Sequence, residues 1–407
     1  MNSRERLRCA LEHREGDCVP IDFGAMRSTG INTMAYGELR QYLKLPDLPV
    51  KVYDLFQQLA DPDEDVRRLF GADVIQLHRL KPSFGYSIGS WKEGVLDNGM
   101  PCLYPEEYAP AVNQDGEREI RISGRVYAKM PKGGLYYDSV YHPLQTAKTK
   151  EEIDRFPTDF LSDEEMAYLR VEAKRLFETT EYGILGAFGG NIFESGQGDF
   201  GFEEYFSHLA LEPEFIHHYH EKICQVHLAN LEKYLEAVGD YIDVIQFGDD
   251  LGMQQAPQIS VSMYREMIKP YHQTLFQFVR KHYPRVKVFL HSCGAIAPLI
   301  PDLIDAGVEV LNPVQISAAG MKPEFLKREY GAELTFWGGG VSTQTTVAFG
   351  SVAEIEEEVR RNLEIFAPGG GYVFTQVHNL QAGTAPEKIA AIYKAANRWR
   401  SYRRESR

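Results

Sequence analysis

The chain has 407 residues, of which 43% are hydrophobic and 25% charged, with 44 basic against 58 acidic side chains and a formal net charge of −14. This mix is that of an ordinary soluble globular protein, and the acidic balance argues against nucleic acid and anionic membranes as partners. No apolar run reaches the length of a membrane span. The five cysteines, Cys9, Cys18, Cys102, Cys224 and Cys293, have no regular spacing. They exclude a disulfide framework and point to a reducing, cytoplasmic setting.

The N-terminal stretch MNSRERLRCALEHREGD lacks the apolar segment of a secretory signal and reads as an amphipathic first helix. Eight short apolar runs follow in chain order: Val19–Phe23, Asp73–Leu77, Tyr182–Gly186, Asp243–Phe247, Val286–Leu290, Val308–Asn312, Glu333–Trp337 and Tyr372–Gln376. Near-continuous apolar character is the habit of strands buried on both faces. Between them, helical periodicity covers Glu212–Val238, Ser260–Tyr283, Ala295–Ala306, Val352–Phe366 and Pro386–Arg400. Ser351 with Glu354 three residues on is an N-terminal capping signature. The basic stretch Arg398–Arg407 reads as a frayed helix end.

Eight strand–helix alternations predict a (β/α)₈ TIM barrel over residues 1–407. A doubly wound sheet is the rival. It would need a phosphate-binding glycine fingerprint, and Gly338–Gly340 and Gly369–Gly371 have the wrong spacing for one. From about Ser83 to Leu144 the rhythm changes to hairpins, with turns at Asn98-Gly99 and Asp115-Gly116. This β-hairpin-rich insertion after the second strand is predicted over residues 83–144. Tyr136, Tyr137, Tyr141 and His142 crowd its end, either as packing or as a substrate lid, with Tyr137 and His142 as candidate substrate contacts.

Barrel chemistry collects where strands end. After the fifth run comes His291-Ser292-Cys293-Gly294; imidazole and thiolate are preferred zinc donors. After the eighth comes His378, which a closed barrel brings toward the same mouth, either as a third ligand or as a substrate contact. Gln376 and Asn379 beside it are candidate substrate contacts. After the fourth run stand Asp249 and Asp250, a pair suited to acid–base work or substrate orientation, with Asp249 the candidate acid and Asp250 a candidate substrate contact, or else to capping a helix. Gln246 in that run and Asn191 after the third are further candidate substrate contacts, and Glu194 is a candidate proton donor, extra ligand or cap. His217, His218 and His220 fall inside a long helix and read as satisfied helix residues.

Roughly Tyr182–Trp399 resembles the uroporphyrinogen decarboxylase superfamily, and within it the corrinoid-dependent methyltransferases. Val288–Gly294 matches that branch's His-x-Cys zinc motif, and Gly383–Ile389 resembles the motif that opens the family's last helix. In the zinc methyltransferases a cysteine stands six residues before the threonine of that motif, where this chain has His378. The decarboxylases carry paired arginines near the N-terminus; the matching segment here, Ile21–Gly30, has Arg27 alone. The insertion, through Gly124–Val126 and Met130–Leu135, looks like that of methyltransferases acting on methoxylated compounds. The resemblance implies a zinc ion on His291, Cys293 and His378, with Asp249 or Glu194 as catalytic acid. It also implies a small methylated, methoxylated donor and a corrinoid (cobalamin) carried by a binding-protein partner, and leaves homodimerisation open. A decarboxylase without corrinoid and a non-catalytic binding protein are the rival readings.

Overall fold

The computed structural model describes residues 1–402 of the 407. Seven parallel strands stand side by side in chain order: Val74–Leu77, Gly183–Gly189, Val244–Gly248, Lys287–His291, Val310–Asn312, Thr335–Trp337 and Tyr372–Val373. The eighth position is taken by the extended segment around Ile21. Ile21 bridges Phe374 in parallel on one side, and its carbonyl accepts the Asp73 amide at 2.7 Å on the other. Pro20 has no amide hydrogen to give to a longer ladder, yet its carbonyl accepts from Phe374 at 2.8 Å. The predicted (β/α)₈ barrel is therefore closed, and each predicted strand coincides with one of its staves.

The barrel interior is filled by Val74, Leu185, Val244, Phe289, Val310, Trp337 and Val373. The amphipathic first helix, Ser3–Leu11, packs Leu7, Ala10 and Leu11 into the same cluster. Arg6 and Arg8 on it pair with Asp73 at 2.5 Å and Asp243 at 2.7 Å, the residues just before two of the strands. This helix therefore plugs the end opposite the strand termini that carry the site. Complete burial of such aliphatic side chains contributes roughly 1.5–3 kcal/mol each.

The predicted helices form with small shifts. Val352–Phe366 starts on the Ser351–Glu354 capping box. Pro213–Val238 and Pro386–Trp399 begin on prolines, whose fixed φ suits a first turn. The predicted Ser260–Tyr283 helix is interrupted by a wide π turn at Tyr264–Ile268, followed by Lys269–His282. Pro270 removes one amide donor there, and the turn widens. Ala295–Ala306 becomes a short 3₁₀ turn at Ala297–Leu299 and a helix at Ile300–Ala306, entered through Pro298 and Pro301. Of the predicted basic end, Arg400 pairs with Asp73 at 2.8 Å, and residues 403–407 lie outside the described part.

The insertion forms two four-stranded sheets. One is built from Ala111–Val112, Arg118–Ile122, Arg125–Met130 and Asp138–Ser139. The other pairs Trp91–Val95 and Pro101–Pro105 with two strands that precede the insertion, Val50–Asp54 and Leu59–Ala60. Those earlier strands are absent from the sequence-based list, since the pairing of Val50–Asp54 is with Pro101–Pro105, far along the chain. The insertion is thereby welded to the chain ahead of the second barrel strand.

Candidate metal centre

Strand register builds the site. Gly248 pairs with His291, and His291 with Asn312, at the C-terminal ends of three adjacent strands. Beyond His291 the chain must turn sharply, and Gly294 has φ +89°. A side chain there would meet the Gly252 backbone at 2.5 Å, so glycine lets the Cys293 loop lie against the 249–253 loop. The eighth strand ends at the same mouth. The donor atoms of His291, Cys293 and His378 come within 4.8 Å of one another.

Hydrogen bonds set both imidazoles for metal binding. Asn312 Nδ2 donates to the Trp337 carbonyl at 2.8 Å, which turns Oδ1 toward His291 Nδ1 at 2.7 Å. Ser28 Oγ donates to the same Oδ1 at 2.9 Å. An amide oxygen can only accept, so Nδ1 carries the hydrogen and Nε2 presents its lone pair. The arrangement repeats at His378. Its Nδ1 faces Asn379 Oδ1 at 2.9 Å, and Asn379 Nδ2 is held by Gln57 Oε1 at 2.9 Å. Burial and the neighbouring His291 keep His378 below the ordinary histidine range, in the neutral form a metal needs.

Cys293 Sγ lies 3.5 Å from His291 Nε2. Zinc bonds of roughly 2.0–2.3 Å in tetrahedral array separate two donors by about 3.5 Å. Burial and the Asp250 carboxylate push the Cys293 thiol well above its ordinary range. A cation at the site would reverse that, since coordination deprotonates a thiol. Two imidazoles oriented by asparagine oxygens and a sulfur that needs a cation to ionise fit a catalytic zinc set with an open position. Replacing Asn312 with leucine is expected to weaken zinc binding by about 10–100-fold while His291 remains. Competition with a chromogenic chelator would measure it, and an unchanged affinity would show that the Asn312 bond does not matter.

A cavity of about 320 Å³ opens beside these donors, lined among others by His291, His378, Asp250, Glu194, Asn191 and Gln246. Asp250 Oδ1 accepts the Cys293 amide at 2.7 Å and lies 3.5 Å from His291 Nε2. Asn191 Nδ2 donates to Glu194 Oε2 at 2.5 Å. Burial, then the Asp250 and Asp249 carboxylates, push Glu194 up to about 8. In the metal-free protein this raised group favours the folded state below the ordinary carboxyl range and ceases to do so as pH rises through about 8. Metal-free Glu194→Gln should therefore melt above the wild type at alkaline pH, with the gap closing as pH falls toward the ordinary carboxyl range. Zinc should shrink the gap, because a cation favours the carboxylate. Parallel melting curves across that window would remove Glu194 as the source.

Several predicted site residues do not face this cavity. Asp249 is fully buried. Its carboxylate accepts the amides of Ile192, Phe193 and Glu194, each at 2.8 Å, and His272 Nε2 lies 2.7 Å away. It anchors the start of helix Phe193–Phe200 and is not a free acid. Gln376 is also fully buried, donating to the Thr29 carbonyl at 2.9 Å and accepting from Tyr393. Asn379 orients His378 and does not line the cavity. Tyr137 is buried in the insertion with its hydroxyl on that of Tyr108 at 2.8 Å. His142 ties the insertion's end to the Gly198 carbonyl at 2.7 Å. These side chains were drawn to the site by their place in the chain, and tertiary packing turns them elsewhere. The three clustered helix histidines are satisfied as predicted: His217 by Tyr271, His218 by Asp154 and His220 by Tyr205 and Met267.

Sequence reasoning missed Asn312, although it ends a predicted strand and the same strand-end rule would have found it. It also missed Tyr53, Gln76 and Arg79, which line the cavity. Gln76 and Arg79 sit in and after the second strand; Tyr53 lies in a strand the sequence reading did not find.

A family model described as uroporphyrinogen decarboxylase (URO-D) matches residues 192–399, just over half the chain. A solved methyltransferase from Methanosarcina mazei has a TM-score of 0.58 at 16% identity, covering 98% of this chain and 99% of that one. At that identity the likeness is one of fold. The Ignisphaera aggregans GH53 catalytic domain (TM-score 0.38, 11% identity, 92% and 99% covered) is a more distant likeness. So is 7,8-dihydropteroate synthase from Vibrio fischeri ES114 (TM-score 0.26, 14% identity, 47% and 61% covered). No curated protein matches the chain.

Proposed function

The chain belongs to the uroporphyrinogen decarboxylase family, and from that premise we propose that it is a zinc-dependent methyltransferase that passes a methyl group from a small methylated substrate to a corrinoid protein. One observation carries this reading: His291, Cys293 and His378, from two distant pieces of chain, bring three zinc-type donors within 4.8 Å beside a cavity. Two asparagine oxygens that fix both histidine tautomers add support.

His291 Nε2, Cys293 Sγ and His378 would hold the metal. Bound there, zinc would supply Lewis acidity that makes the heteroatom carrying the methyl group a better leaving group. Glu194, raised above the ordinary carboxyl range by its buried and acidic surroundings, is the acid that protonates the departing oxygen, nitrogen or sulfur. Asn191 holds that carboxyl in place, and Asp250 fixes the Cys293 backbone. The methyl acceptor is a corrinoid on a separate protein docked over the barrel mouth.

The insertion acts as a lid in this reading. Tyr136 at its end donates to Asn379 Oδ1 at 3.2 Å and receives a hydrogen bond from Gln381, so it touches the loop that carries His378. Among the described residues, no helix is long and apolar enough to cross a membrane. Decarboxylation of a multiply charged tetrapyrrole is disfavoured, since Arg27, the lone arginine of its segment, is committed to Asp54 and the Pro82 carbonyl.

The test is metal analysis of purified protein together with methyl transfer to reduced cobalamin. Stoichiometric zinc and methylcobalamin formation are expected. Release of carbon dioxide from an acid substrate without methylcobalamin would replace this reading by the decarboxylase.

A further inference from the structure

The cavity wall contributed by Tyr53, Gln76 and Arg79 has no part in the metal set, yet it carries polar atoms the protein leaves unsatisfied. Tyr53 is 2% exposed and its hydroxyl has no hydrogen-bond partner among the described residues. Gln76 is 8% exposed and its Oε1 has none either. Each such buried atom is destabilising when left unpaired. Both residues line the cavity, and a ligand that reaches these two buried atoms would relieve that cost.

Arg79 stands beside them, just past the second strand. Its Nε donates to Glu165 Oε1 at 2.6 Å. Glu165 is itself buried and also accepts the Leu80 amide at 2.9 Å. That carboxylate fixes the guanidinium through one of its five N–H groups. The two terminal amino groups have no protein partner among the described residues.

We propose that Tyr53, Gln76 and Arg79 form a carboxylate-binding subsite, so that the methyl donor is a small polar acid and not an apolar methoxyarene. This rests on the reading above that the cavity receives the substrate. Arg79 presents its terminal N–H groups to the carboxylate, Tyr53 donates its hydroxyl to the same group, and Gln76 accepts an N–H or O–H from the substrate. A single negative charge suits the wall better than a phosphate dianion. Arg27 and Lys81 are already paired with Asp54 and Glu164, and Glu194 and Asp250 share the cavity. Besides the two histidines, Phe188 and Tyr53 are the aromatic side chains of the lining, too few to sandwich an aromatic ring. The subsite lies after the second strand, away from the Ile21–Gly30 segment where the decarboxylases place their arginines.

The experiment is calorimetric titration of the zinc-loaded full chain. The probes are N-methylglycine and methoxyacetate, N-methylethanolamine as the uncharged-end counterpart, and N-methylaminomethylphosphonate. The carboxylates should bind roughly tenfold or more tightly than the alcohol, in line with a charge-assisted pair. Arg79→Gln should lower carboxylate affinity by about tenfold or more and leave that of the alcohol unchanged. Tyr53→Phe should lower carboxylate affinity about threefold to tenfold without lowering the melting temperature, because the hydroxyl it removes has no partner to lose. This second variant keeps the test sharp if Arg79→Gln fails to fold.

No carboxylate binding at millimolar concentration overturns the subsite. Equal binding of alcohol and acid, or tighter binding of the phosphonate, does the same. Arg79-dependent acid binding in a protein that transfers no methyl group would keep the subsite and reject the methyltransferase reading. Methyl transfer with an unaltered KM in Arg79→Gln would do the reverse.

Discussion

Replacing Cys293 with alanine is expected to empty the site of zinc and to lower methyl transfer by roughly 10³-fold or more, about 4 kcal/mol of transition-state stabilisation. The size of the effect follows from the donor set. Removing one of three protein ligands leaves two neutral imidazoles, which bind zinc weakly without a thiolate. The fold should survive. Asp250 keeps its bond from the Cys293 backbone amide when the sulfur is removed, and the sharp turn depends on Gly294. Elemental analysis and a melting curve on the same preparation therefore separate metal loss from unfolding. An alanine variant that kept full zinc and full activity would remove Cys293 from the metal set and end the reading built on it. His378→Ala extends the test to the third donor and should behave alike.

A different failure is expected from Asp249→Ala. Its carboxylate satisfies three amides at the start of helix Phe193–Phe200 and faces His272, which in turn lies 3.1 Å from the Tyr264 hydroxyl. Deleting it leaves several buried donors unpaired at once, a loss of about 3–5 kcal/mol. The urea midpoint should fall with the m-value unchanged. Zinc should still bind to whatever fraction is folded, because the Asp249 carboxylate touches none of the three metal ligands and its backbone bond to the His291 carbonyl is kept. Wild-type stability with lost activity would instead make Asp249 the acid that its place in the chain suggested. Asp249→Asn should rescue only part of the loss, because its amide nitrogen would face donors that need an acceptor.

Much of this molecule is legible in its sequence. All eight staves were predicted, because strands buried on both faces show as apolar runs whatever their neighbours. The first of them, around Ile21, pairs through few backbone bonds, and its apolar run still marks it. Helix Val352–Phe366 was found to the residue through Ser351 and Glu354, since a capping box is local chemistry. The earlier hairpin Val50–Ala60 was missed because its pairing with Pro101–Pro105 is decided by residues about fifty positions away.

The candidate site divides along the same line. His291, Cys293 and His378 could be named from the sequence by itself, because donor type and a place at a strand end are properties of single positions and of the barrel's alternation. Side-chain direction is not such a property. Asp249 and Asp250 are neighbours of identical chemistry, yet successive side chains leaving a strand point to opposite sides. One therefore enters the packing behind helix Phe193–Phe200, and the other borders the cavity. The unsatisfied Tyr53 and Gln76 came to light only in the folded chain, because an atom lacks a partner only with respect to everything packed around it.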